Sequence, residues 1–159
     1  MKVGHTCFGD IPPYRLREIN RYRTNQITCL RFEDPKTWPL LADIMIYHKN
    51  PITRHEACFI SVELGCPYAS KLVQIVKYDR SIVVKHEAAE ALGKIKDKDD
   101  AWMAYTFLRK AFLNNIDYDD GIYHPDVQAS IRESIEDLEE RFKDFRGTWQ
   151  KKKIRRTNI

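Results

Sequence analysis

Two stretches of the chain, "ITRHEACFISVELG" (52–65) and "VVKHEAAEALGKI" (83–95), place a His-Glu pair at the same point of the same pattern, 31 positions apart. This self-similarity limits the fold more than any composition figure. Helical units with a shared apolar stripe cannot bury it alone and have to stack on their neighbours. In the second copy the stripe is Val84, Ala88, Ala91, Leu92 and Ile95, the i, i+4, i+7, i+8 spacing of one helix face. Thirty-one positions earlier it is Thr53, Ala57, Ile60, Ser61 and Leu64. Forty-three positions later it is Val127, Ile131, Ser134, Ile135 and Leu138.

Each of these helices follows another apolar helical stretch, at 37–49, 67–78 and 99–115. The unit is a helix, a turn and a second helix, repeated three times. With only six glycines and no alternating apolar pattern, the chain is expected to be all-α. The expected architecture is a short α-α superhelix of about three helix pairs over 37–145. Each second helix would line its concave side. An N-terminal cap of one or two short helices is expected over 1–36. Pro51 and Pro125 sit where helices start, and Gly65 and Gly93 where they end.

Charge is unevenly placed. Residues 146–159 carry six Lys or Arg and no acid, while the rest carries 21 basic against 23 acidic residues. The tail reads as a solvated, mobile end, or as a contact for nucleic acid or an acidic surface. No stretch near Met1 has the form of a signal peptide, and no run reaches membrane-spanning length. A cytoplasmic protein is expected. Cys7, Cys29, Cys58 and Cys66 form no CxxC pair, so free thiols are expected rather than a zinc ribbon or redox motif.

At about 100° per residue, His86 and Glu87 point away from the Ala88 stripe, and Glu90 shares the His86 side. Adjacent packed helices lie about 8–10 Å apart, a gap that two imidazoles span around one ion. His and carboxylate suit iron, manganese or zinc. In the first copy His55, Glu56 and Glu63 take the corresponding side, so two His and two carboxylates on adjacent helices are placed to hold one divalent ion. Against this stands the ordinary preference for Glu near a helix start and the unremarkable occurrence of surface His. His124 before Pro125 reads as a helix cap. The "DYDDG" stretch at 117–121 fails as a calcium loop, because its Gly is one place early and Gln128 stands where the closing Glu belongs. No P-loop, Gly-x-Ser-x-Gly or Gly-x-Gly-x-x-Gly is present.

"VVKHEAAEALGKI" and, more loosely, "NPITRHEACFISVELG" resemble the HE motifs of deoxyhypusine hydroxylase, a HEAT-like repeat family whose repeat class also occurs in phycobilisome lyases. The resemblance covers about 37–140. It implies an iron-dependent monooxygenase in which HE pairs of two symmetric halves enclose a di-iron centre, with His55, Glu56, His86 and Glu87 at ligand positions. The family has four HE pairs in a chain about twice this length. This chain has two, and Ala129 and Ser130 stand where a third would fall. A homodimer would restore four pairs. The other function the pattern suggests is a non-catalytic interaction module, or lyase-like chaperone, that presents its concave face to a protein partner.

Overall fold

A computed structural model describes residues 8–29, 32–113 and 120–157. Among these the structure is all-helical, with no strand. Two short helices, α1 (Pro13–Ile19) and α2 (Thr24–Cys29), precede a 3-10 turn at Pro35–Thr37. The remainder is α3 (Trp38–Tyr47), α4 (Pro51–Glu63), α5 (Ala69–Tyr78), α6 (Ile82–Gly93), α7 (Lys98–Leu113), α8 (Pro125–Arg141) and α9 (Phe145–Thr157).

Local chemistry sets these limits. Asn50 accepts the Ile52 N–H ahead of Pro51, and His124 accepts the Asp126 N–H ahead of Pro125. Gly65 takes φ +69° just past α4, a conformation that other residues adopt only with strain. The "DYDDG" stretch lies largely outside the described residues, and its last two residues enter a 3-10 turn, Asp120–Tyr123, that leads into α8.

Helices α3, α5 and α7 pack on α4, α6 and α8 respectively. The second helices also touch in sequence, α4 against α6 and α6 against α8, and α5 meets α7. The stripe residues of α6 and α8 are all buried. In α4, Thr53, Ala57 and Ser61 are buried, while Ile60 and Leu64 are half-buried. Because α6 is covered on several sides, Glu87 is also buried, although its angle from the stripe suggested an exposed position.

A second periodic position, one residue before each HE site, ties the units together. Arg54 donates to the His48 carbonyl, Lys85 Nζ to the Val76 and Lys77 carbonyls, and Gln128 to the Ile122 carbonyl. Each long side chain thus satisfies carbonyls left unpaired at the end of the preceding segment. Arg54 is further held by Asp79 in a buried two-pronged pair with both N–O distances 2.9 Å.

Of residues 146–159, whose charge suggested a mobile end, 146–157 lie in α9. Phe145 is buried, packs against Trp102 at 5.0 Å between ring centroids, and stacks on Phe142. Trp149 meets Tyr105 edge-on. Two aromatic anchors therefore dock a helix whose cationic side chains stay in solvent. No helix among the described residues is long and apolar enough to cross a membrane.

Candidate metal site

The two HE pairs do not face each other as pairs. His55 Nε2 lies 3.1 Å from Glu87 Oε2, across the α4–α6 contact. His86 Nδ1 lies 2.5 Å from Ser130 Oγ, across the α6–α8 contact. Ser130 is the third-unit counterpart of Glu87, so each His reaches the acid position of the next helix. The offset is one residue beyond the repeat because neighbouring helices are staggered. Alignment by sequence suggested His55 and His86 on one ion; the ligand atoms that gather within 4.8 Å of one another come from a set without His55.

A different set converges. His86, Glu87 and Glu90 offer ligand atoms that all lie within 4.8 Å of one another. The His86 Nδ1–Glu90 Oε1 separation is 3.4 Å, and Ser130 Oγ lies 3.4 Å from the same carboxylate oxygen. Of the four sequence-derived ligands, the set contains His86 and Glu87. His55 touches it through Glu87, and Glu56 is not part of it. Glu90 was visible in the sequence as a neighbour of His86 one helical turn on. What singled it out as a ligand was tertiary: the burial of Glu87 beside it.

Glu87 is the unusual member. Its Oε1 is buried with no hydrogen-bond partner. Burial pushes its carboxyl up from the ordinary value; His55 pulls it back and Glu90 adds to the rise. A buried carboxylate oxygen without a partner is costly, and a cation at that place would remove the cost. One imidazole and two carboxylates suit a divalent first-row transition ion and leave coordination positions open. They do not suffice for two ions.

Because the folded-state value of Glu87 is raised, its contribution to stability is full below the ordinary carboxylate value and is lost as pH climbs through the raised one. Glu87→Gln is therefore expected to increase the thermal stability of the metal-free protein at neutral pH relative to pH 4. Melting curves at the two pH values test this; an equal effect at both would show that ionisation of Glu87 is not the cause.

Beside this set, a cleft of about 340 Å³ opens between α6 and α8, lined by His86, Glu90, Asp126, Ser130 and Glu133 among others. The Cys58 and Cys66 thiols are poor nucleophiles. Burial pushes the Cys58 thiol far up, and that of Cys66 up to about 11, so both stay protonated. Cys58 and Cys66 are free. His5 and Cys7 lie outside the described residues.

Comparison with known proteins adds no relative to this picture: no protein-family model, no curated protein and no solved structure matches the chain.

Proposed function

We propose that the protein is a metal-binding helical-repeat protein, a short α-α superhelix of HEAT-like pairs in which His86, Glu87 and Glu90 hold one divalent transition ion. The observation that carries this is that Glu87, whose buried Oε1 has no partner, offers a carboxylate oxygen within 4.8 Å of ligand atoms of His86 and Glu90. Iron is the ion implied by the HE resemblance, and when bound it would supply oxygen activation for a hydroxylase-type reaction. The chain's own residues have simpler tasks. Glu87 binds in its ionised form, and Ser130 fixes the orientation of the His86 ring. In the catalytic form of this reading two chains pair, each bringing one ion.

The test is elemental analysis of protein loaded with ferrous, manganous or zinc ion under reducing conditions. About one ion per chain is expected for the wild type and for Glu56→Gln. A loss of at least tenfold in affinity is expected for His86→Ala and for Glu90→Gln. Sedimentation of the loaded protein then tests pairing, and a monomer at working concentration would remove the two-chain form.

One observation favours a second reading, an interaction module without a metal. His55–Glu87 and His86–Ser130 link three helices by direct side-chain contacts. In that case no stoichiometric metal binds under any loading condition, and His86→Ala weakens the α6–α8 contact instead.

A further inference from the structure

A second cleft, away from the metal set, lies at the other end of the chain, where the loop between α1 and α2 meets the turn between α3 and α4. It is about 540 Å³, and Arg21, Arg23 and Lys49 line it with no carboxylate among the lining residues. None of these three side chains forms an ion pair with a described residue. Three unpaired cations around one concavity repel each other, an arrangement stabilised by an anion.

The floor of the cleft is firmly built. His48 is 3 % exposed. Its Nδ1 accepts the Asn50 N–H, so its Nε2 carries the proton and donates to the Tyr22 carbonyl at 2.8 Å. Burial pushes its pKa down, which keeps the ring neutral in this role. Asn20 Oδ1 accepts the Lys49 N–H at 2.8 Å, and the Thr24 and Thr53 hydroxyls bond at 2.9 Å. These links clamp the two loops together, so Arg21, Arg23 and Lys49 start from a fixed backbone and little ordering is left for a ligand to cost.

We propose that this cleft binds a phosphate monoester of about mononucleotide size. Arginine forks match phosphate oxygens in pairs, and lysine adds a mobile point charge. The cleft volume falls in the range of organic-ligand sites, about 300–1,000 Å³, and exceeds what a bare phosphate ion fills. Tyr22, half-buried and packed on the core, is also among the lining residues, an aromatic neighbour that suits an organic ester over the bare ion. The N-terminus of the 13-residue α4 opens onto the same cleft through Asn50 and Thr53 and adds positive potential.

The test is calorimetric titration of the full chain with adenosine monophosphate, pyrophosphate and inorganic phosphate at low salt. Saturable binding is expected, with the monophosphate ester tighter than inorganic phosphate and weakening as salt rises. Arg23→Glu and Lys49→Glu should each weaken it at least tenfold. Glu90→Gln, in the separate metal set, should leave it unchanged. Since Arg21, Arg23 and Lys49 are exposed, these variants should melt like the wild type; if a charge reversal unfolds, Arg23→Ala and Lys49→Ala are expected to weaken binding about threefold or more each. No saturable binding of any probe at millimolar concentration, or binding unaffected by any of these Arg23 and Lys49 substitutions, would overturn the proposal. Binding of pyrophosphate with no preference for the ester over the bare ion would overturn the assignment to a nucleotide-sized ligand.

Discussion

Asp79→Ala is expected to destabilise the protein by about 3–5 kcal/mol, because it strands the Arg54 guanidinium in the interior. Arg54 and Asp79 side chains are only 8 % and 4 % exposed. With Asp79 gone, one face of the guanidinium keeps its bond to the His48 carbonyl, but two of its N–H groups lose a charged partner. Asp79 Oδ1 also accepts the Ser81 N–H just ahead of α6, so the same change leaves that N–H without its partner as well. Single domains are stable by only about 5–15 kcal/mol, so this loss is a large share of the total. Urea unfolding followed by circular dichroism should show a marked fall in midpoint, with little change in slope.

The paired change Arg54→Met with Asp79→Leu should be much milder than the sum of the single losses, since it removes both charges from the interior together. It will not restore wild-type stability, because His48 and the Ser81 N–H still lose a partner. If Asp79→Ala costs under about 1 kcal/mol, on the scale of an exposed ion pair, the tie between the α3–α4 turn and the α5–α6 turn is not what stabilises this junction.

Gly93→Ala is expected to cost about 2–3 kcal/mol by overpacking. A methyl at Gly93 would lie 2.5 Å from Ser134 Oγ, 2.6 Å from its Cβ and 2.8 Å from its Cα. The last of these is backbone, so a rotamer change cannot relieve the clash and α6 must move away from α8. That movement would also disturb the bond from Ser134 Oγ to the Ala89 carbonyl, 2.8 Å long. For a chain of this size each kcal/mol shifts the melting temperature by about 2–4 °C. Gly147→Ala is the control: it lies within α9 with nothing within 4 Å of the added carbon, and should stabilise by up to about 1 kcal/mol through helix propensity. Equal effects at both glycines would mean that α6 and α8 are not closely apposed.

Gly93 illustrates how far the sequence can be read. Its place at the end of the stripe marked a helix end, and α6 does finish there. Its closer constraint, a helix-to-helix contact with Ser134, depends on a residue 41 positions away and has no local signature. The stripes themselves were legible because buried positions must recur at the helical period whatever the neighbours are. The roles of Arg54 and Lys85 have no local signature, since a single helix offers no carbonyls for them to reach; only the adjoining turns do.

The sequence by itself determined the all-helical class, the paired order of the helices and the repeat register, because periodicity, caps and breakers act within a few residues of the chain. The tertiary structure decided which polar groups meet. The stagger between α4, α6 and α8 sends His55 to Glu87 and His86 to Ser130, and leaves Glu87 buried beside Glu90. It also brought the α1–α2 loop against the α3–α4 turn to form a cleft of one charge. Helix stagger and loop apposition are set by packing between segments distant in sequence, so the pairing of ligands and cations is written in the fold and not in any one stretch of the chain.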